Sequence, residues 1–214
     1  MKEHLKGLSE LQHDAITEIF NISVGRAGDT LSRMVQEPVQ LSVPEILVSR
    51  RAEALQRFHG DSERAVCAVI QRFSGPFTTD AMLMFPEQKS LELVRLFIGE
   101  EMPLEQMTDM EQEAMAEIGN IILNSCVGAM ANLFRTEFQG GLPRVKVGGM
   151  ADILAISHLD QHPEVSGDDF VLLLFIQFAI EKRAIEGYVA FVLDLPSFEE
   201  LAVQVDRFIA RIPG

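Results

Sequence analysis

Two stretches of this 214-residue chain share a motif, EIFNISVG at residues 18–25 and EIGNIILN at residues 117–124. Both contain Glu-Ile-x-Asn-Ile, and the two copies lie ninety-nine residues apart. Each copy lies in a segment whose apolar residues recur every three or four positions, which is typical of an amphipathic helix. The sequence therefore predicts two long helices of one design, over residues 9–36 and 108–135.

The limits of both helices are marked by residues that start or stop a helix. Ser9 with Gln12, and Thr108 with Glu111, are spaced as capping boxes, in which side chains satisfy free amides of the first turn. Pro38 ends the first helix because a proline lacks the N–H donor that a further turn requires. Since the caps are as far apart as the repeated motif, the two helices share one register.

The segments after each helix repeat as well. Extended segments are predicted at 39–49 and 145–156, strand pairs at 65–73 with 78–85 and at 169–180 with 187–195, and proline-initiated helices at 86–99 and 196–210. The predicted fold is α/β and pseudo-twofold, with two helix–strand–strand–strand–helix units that share a central, mostly antiparallel sheet. We expect one domain over 1–214, with halves of about 1–100 and 101–214 and both long motif helices exposed on one face.

Composition narrows the class of protein. Hydrophobic residues make up 47% and charged residues 23% of the chain, as in an ordinary folded soluble domain. A net charge of −14 without a basic run argues against nucleic-acid binding. No apolar run has transmembrane length, and the N-terminus lacks a signal-peptide pattern, so we expect a cytoplasmic protein without membrane insertion. Cys67 and Cys126 are expected to be buried, reduced thiols.

Each long helix carries a polar stripe. Spacings of i, i+4 and i+7 place three polar side chains on one helix face: Asp14, Glu18 and Asn21 in the first helix, and Glu113, Glu117 and Asn120 in the second. The isoleucines of the motif are expected on the opposite, buried side. A solvated helix face also carries such residues, so the stripe alone does not require a function.

A pair of equally spaced prolines strengthens the functional interpretation. Pro44 follows Asn21 by twenty-three positions, and Pro143 follows Asn120 by the same distance. The pattern Asp/Glu-x3-Glu-x2-Asn-x22-Pro therefore occurs twice. A solvated helix face gives no reason for this spacing.

This pattern resembles the signature of the CheC, CheX and FliY phosphatases of bacterial chemotaxis, Asp/Ser-x3-Glu-x2-Asn-x22-Pro. The resemblance covers the whole chain, and two copies in a chain of this length are similar to the CheC arrangement. The second copy departs from the signature, because it begins with Glu113 where the family has Asp or Ser.

The resemblance implies a phosphatase that hydrolyses the aspartyl-phosphate of a CheY-like receiver domain at two pseudo-symmetric sites. It implies that Asn21 and Asn120 orient the attacking water and that Glu18 and Glu117 pair with the receiver's active-site lysine. Asp14 and Glu113 would be outer docking residues, and Pro44 and Pro143 would be structural. No cofactor or metal of its own is implied, and the Mg²⁺ would belong to the receiver.

Other interpretations stay open at this point. The same stripes could bind a receiver or an adaptor without hydrolysis, and the resemblance also allows a CheD-like deamidase as partner. His158 and His162 could share a metal if their segment were helical, although Pro163 favours a solvated loop. Carboxylates one helical turn apart cannot flank a glycosidic bond.

Overall fold

The repeated sequence folds into alternating helices and strands. The computed structural model describes residues 8–57, 65–98, 109–155, 169–180 and 183–211. The helices are α1 (Glu10–Val35), α2 (Arg51–Arg57), α3 (Glu87–Ile98), α4 (Asp109–Phe134), α5 (Met150–Ala155) and α6 (Leu195–Ile209). The strands are β1 (Val39–Arg50), β2 (Ala65–Ser74), β3 (Thr78–Pro86), β4 (Gln139–Gly140), β5 (Arg144–Gly149), β6 (Phe170–Ile180) and β7 (Arg183–Leu193).

The two motif helices, α1 and α4, are 26 residues each, as the repeat predicts. The capping box of α1 is confirmed, because Gln12 N–H donates to Ser9 Oγ and Ser9 N–H donates to Gln12 Oε1. Thr108, the predicted cap of α4, lies outside the described residues. Glu111 is buried and its Oε1 lies 3.3 Å from Arg95 Nε of α3, so this carboxylate joins two helices.

The sheet joins the two halves by exchange of their first strands. Its order is β1-β6-β7-β3-β2-β4, with β5 also paired to β2, and every pairing is antiparallel. Strand β1 of the first half pairs with β6 of the second, and β4 and β5 of the second half pair with β2 of the first. The pseudo-twofold relation runs between β3 and β7, and the predicted α/β fold is confirmed.

Helices cover both faces of the sheet. The larger core lies between the sheet and α1, α3, α4 and α6, and a smaller one lies under α2 and α5 on the other face. Cys67 and Cys126 lie in the larger core as free thiols, as predicted. Burial raises the pKa of Cys67 to about 11 and that of Cys126 to about 12, so neither is poised as a thiolate nucleophile at neutral pH.

One predicted element is wrong in part. Residues 145–156 were expected to be extended, but the strand ends at Gly149 and Met150–Ala155 form α5. Met150, Ile153 and Leu154 are buried at helical spacing against the smaller core. Helix α2 begins ninety-nine residues before α5, so the duplicated unit contains this short helix in both halves. Its role is to cover the second face of a sheet whose strands are apolar on both sides.

Among the described residues, one helix, α4, is long and apolar enough to span a membrane, judged by length and composition. Half of its apolar window is buried inside the protein, where it packs against α1, α3 and strand β2. The core of the protein thus accounts for its apolar composition.

Candidate functional site

The polar stripes of the two motif helices lie on the protein surface, as predicted. Asp14, Glu18 and Asn21 are exposed on α1. The corresponding residues of α4 follow the same pattern, with Glu113 and Glu117 exposed and Asn120 half-buried.

The prediction that all the motif isoleucines are buried holds for two of the four. Ile19 and Ile118 are 2% and 1% exposed, whereas Ile121 is only partly buried and Ile22 is 44% exposed. At roughly 100° per residue, Ile22 lies only about 40° around the helix from Glu18. Its side chain therefore belongs to the outward face and places apolar surface beside the polar stripe.

The side chain of Asn21 is held by the strand that follows its helix. Asn21 Oδ1 accepts a hydrogen bond of 3.3 Å from the backbone N–H of Val43 in β1. The pairing of β1 with β6 shifts register between Ser42 and Glu45, which is where Pro44 lies. A proline is tolerated in a strand mainly at such an irregularity, and Val43 falls outside the regular ladder there. The motif proline thus marks the irregularity that makes a backbone donor available to Asn21.

The side chain of Asn120 is held by other side chains. Its Oδ1 accepts from Asn124 Nδ2 at 2.6 Å and from Gln71 Nε2 at 3.4 Å. Asn124 Nδ2 also donates to the main-chain oxygen of Asn120 at 2.7 Å, and Gln71 Nε2 donates to that of Gly141 at 2.9 Å. Because a main-chain oxygen can only accept, these bonds identify the donor end of each neighbouring amide and make Asn120 Oδ1 the acceptor.

Both asparagines therefore leave the same group, the Nδ2 donor, without a partner in the described part of the chain. Among the described residues, no group accepts a hydrogen bond from Nδ2 of Asn21 or Asn120. A free carboxamide could offer both a donor and an acceptor to one water. In the folded chain Oδ1 is engaged by the protein, so each site offers an oriented Nδ2 donor. Asn21 Oδ1 accepts one hydrogen bond and keeps a second lone pair free, whereas Asn120 Oδ1 accepts two hydrogen bonds and so uses both lone pairs.

The two sites differ most in the strand beside the asparagine. In the second half that strand is broken between β4 and β5, and Pro143 lies in the break. Leu142, which precedes it, is 88% exposed, whereas Val43 at the corresponding position is 4% exposed. The second site is therefore bordered by an exposed apolar side chain where the first site has a buried one.

The carboxylates of the stripes are available for a partner. Glu18 and Glu117 are exposed, each lies one turn before its asparagine, and neither forms an ion pair within the described ranges. The Asp14 side chain is 83% exposed, with Oδ1 3.9 Å from Nδ1 of His13. Within the part of the chain that the structure describes, no His, Cys, Asp and Glu side chains form a group that could hold a metal ion. His158 and His162 lie outside that part.

Gly119, between Glu117 and Asn120, lets α4 approach the sheet. A Cβ added there would lie 2.5 Å from the side chain of Val69 in β2. In the first helix the corresponding residue is Phe20, which is buried and stacks on Phe191 with ring centroids 5.3 Å apart. The variable residue of the motif therefore sets how each helix packs on the sheet, and in α4 it requires glycine.

Replacing Gly119 by alanine is expected to lower the free energy of unfolding by about 1–3 kcal/mol, because the added methyl group overpacks the contact with Val69. Urea denaturation measures the change. The matched control is Gly128→Ala in the same helix, where an added Cβ meets no atom within 4 Å. This control should gain up to about 1 kcal/mol from helix propensity. Equal effects of the two substitutions would contradict the packing argument.

Comparison with known proteins finds similar sequences and a similar fold over most of the chain. The sequence is 22% identical over 200 residues to the CheY-P phosphatase CheC of Bacillus subtilis (strain 168), which covers 92% of this chain and 95% of CheC. It is 24% identical over 142 residues to the flagellar motor switch phosphatase FliY of the same strain, covering 65% of this chain but only 36% of FliY. The crystal structure of Thermotoga maritima FliY has the same fold, with a TM-score of 0.73 at 17% identity over 94% of this chain and 98% of that one. No protein-family model matches the chain.

Proposed function

We propose that this chain, which is similar to CheC and FliY over most of its length, is a phosphatase that hydrolyses the aspartyl-phosphate of a CheY-like response-regulator receiver domain. The observation that carries the proposal is the orientation of the two asparagines. Each lies on the outward face of a long packed helix, with Oδ1 bonded to the protein and Nδ2 without an acceptor among the described residues. That arrangement suits a group that must hold one water molecule at a fixed position.

The chemistry asks little of the phosphatase itself. An aspartyl-phosphate is an acyl phosphate and is already activated, and the family resemblance assigns the Mg²⁺ and a lysine to the receiver. The attacking water must be held in line with the scissile P–O bond. We infer that Nδ2 of Asn21 or Asn120 donates a hydrogen bond to the oxygen of this water, which leaves its second lone pair to attack phosphorus. The water's proton can pass to a phosphoryl oxygen.

The two glutamates set the docking geometry in this proposal. Glu18 and Glu117 each lie one helical turn before the asparagine, so a lysine ammonium paired with the carboxylate would lie beside the water. Asp14 and Glu113 lie one turn further out and would contact the edge of the receiver. Since the net charge is −14, docking on an acidic receiver depends on these local pairs rather than on long-range attraction.

Exposed apolar side chains border both sites and complete the proposed docking surface. Ile22 lies beside Glu18 at the first site, and Leu142 lies beside the strand break at the second. Apolar contacts at the centre of an interface contribute affinity that charge pairs at its rim do not. Ile22 lies on helix α1, whereas Leu142 lies between strands β4 and β5. Because these apolar side chains are placed differently, the two sites are expected to differ in affinity for a given receiver.

Replacing both Glu18 and Glu117 by glutamine is expected to lower kcat/KM about 10–100-fold, mainly through KM. A hydrogen bond to a charged group contributes about 1.5–3 kcal/mol, and the neutral amide loses that part of the lysine pairing. The measurement is the initial rate of phosphate release against receiver concentration. Glu10→Gln, another exposed acid on α1, is the control and should leave KM unchanged. An unchanged KM in the double variant would remove the glutamates from the docking model.

The direct test of the proposed function uses a receiver phosphorylated with a small phosphodonor. Adding the chain at one-tenth of the receiver concentration should accelerate phosphate release over the receiver's spontaneous rate, with multiple turnovers. Binding of the phosphorylated receiver without acceleration would instead support the non-catalytic binding module. We extend the proposal to a cytoplasmic location, where such receivers act. A CheD-like deamidase as a further partner rests on the family resemblance alone.

A further inference from the structure

We propose that Gln71, a buried glutamine of the first half, is a positioning residue of the second site. It holds the side chain of Asn120 in its working orientation. The inference rests on the proposed phosphatase function and adds a residue that lies outside the signature motif. It also makes the two sites chemically unequal, because the first site has no such side chain.

Gln71 stands out among its neighbours on the sheet. It is 3% exposed and lies on the β2 face that packs against α4, between the buried residues Val69 and Phe73. Its Nε2 bonds Gly141 O at 2.9 Å and Asn120 Oδ1 at 3.4 Å. Its Oε1 is buried with no hydrogen-bond partner among the described residues.

The strand pairing identifies the counterpart of this glutamine in the other half. Phe73 pairs with Gly140, and Phe178 pairs with Leu41, which lies ninety-nine residues before Gly140. The glutamine lies two residues before Phe73, so its counterpart lies two residues before Phe178. That residue is Ile176, which is fully buried.

Stability alone favours the isoleucine at this position. A buried amide acceptor without a partner destabilises the fold, whereas an isoleucine in the same place contributes apolar burial. Gln71 is therefore a costly choice for packing. What distinguishes it from Ile176 is its pair of bonds, one to the motif asparagine and one to the strand break.

The break in the strand explains why the second site needs a side chain here. At the first site, the backbone N–H of Val43 holds Asn21 directly. At the second site the strand is interrupted between β4 and β5, and Gln71 lies opposite the interruption. Its amide group joins Gly141 in the break to Asn120 on the helix, and so replaces the missing backbone contact. The exposed Asn124 supports the same oxygen from within α4.

The test isolates the second site by using Asn21→Ala as the parent chain. Adding Gln71→Ile, the residue of the other half, is expected to lower kcat about tenfold with KM changed less than twofold, because docking is left intact while the water is less well placed. The free energy of unfolding should stay equal or rise. An unchanged or increased kcat would overturn the proposal. It would mean that the bond from Gln71 to Asn120 Oδ1 has no part in positioning the asparagine for catalysis.

Three further variants separate positioning from packing. Gln71→Met keeps the length of the side chain but removes the donor, so it should lose as much kcat as Gln71→Ile. Gln204→Leu removes another buried glutamine, on α6, whose amide bonds Glu200, and should leave kcat unchanged. In a chain that already carries Asn120→Ala, Gln71→Ile should cause no further loss, whereas an additive loss would show that Gln71 acts independently of Asn120.

The failure of this inference is distinguishable from failure of the proposed function. A wild-type chain that does not accelerate phosphate release refutes the phosphatase proposal itself. A wild-type chain that is active, with an Asn21→Ala parent that is inactive, refutes the role of Gln71 and leaves the phosphatase proposal in place at the first site.

Discussion

A chain that carries both Asn21→Ala and Asn120→Ala is expected to leave phosphate release from a phosphorylated receiver close to its spontaneous rate. Each asparagine is proposed to hold the attacking water, and loss of one positioned hydrogen-bond donor commonly lowers kcat by about 10²–10³. Each single variant should keep the activity of the other site, so the double variant should lose far more than either. The measurement is the catalysed rate of phosphate release at saturating receiver.

The same variants must be shown to fold. Alanine is the better helix former at these positions, which offsets the loss of the bond to Asn21 Oδ1 or Asn120 Oδ1, so stability should change by no more than about 1 kcal/mol. Asn132→Ala is the matched control, because Asn132 is exposed on α4 three or more turns beyond the motif. Full activity in the folded double variant would exclude the asparagines from catalysis.

Replacing Arg51 by alanine is expected to lower the free energy of unfolding by about 3–5 kcal/mol, a large part of the roughly 5–15 kcal/mol typical of a domain. Arg51 is 1% exposed, and its Nη1 lies 3.2 Å from Oδ2 of Asp169. Its Nη2 donates to Leu154 O, and its backbone N–H donates to Asp169 O at 2.7 Å. Truncation leaves a buried carboxylate without its cation. Urea denaturation followed by circular dichroism measures the loss.

Two controls show whether the pair or only the unpaired charge matters. Arg51→Met combined with Asp169→Leu should recover most of the stability, because replacing both members of a buried ion pair by apolar residues is often neutral. Arg50→Ala, at the exposed neighbour, removes a guanidinium 5.3 Å from the ring centroid of Phe170 and should cost about 0.5–1 kcal/mol. A loss of similar size at Arg50 and Arg51 would contradict the argument from burial.

Local signals in the sequence were sufficient for the four longer helices and the two hairpins. The capping box at Ser9, the stop at Pro38 and the spacing of the apolar residues placed both motif helices within one or two residues of their observed limits. The crossing of β1 to β6 could not be predicted, since pairing between halves depends on long-range packing. Helix α5 was missed because a six-residue apolar run does not distinguish a strand from a helix.

The residues of the candidate site that lie on the helices were predictable from helical spacing. The residue contributed by the sheet, Gln71, was not predicted. The stripe positions of Glu18 and Glu117 follow from helical spacing alone. Ile22 was placed on the wrong side, although helical spacing puts it only about 40° around the helix from Glu18. Gln71 carried one signal that a comparison of the halves could have used, a polar residue in an apolar strand whose counterpart, Ile176, is apolar.

The exchange of first strands has a consequence for synthesis on the ribosome. Arg50 pairs with Phe170, so β1 has no partner until about 120 further residues have been made, which takes roughly 6–24 s at ordinary elongation rates. Throughout that interval the nascent first half carries an unpaired strand edge, which is the kind of surface that other chains add to. The exchange of first strands therefore leaves the first half with an open edge until β6 has been synthesised.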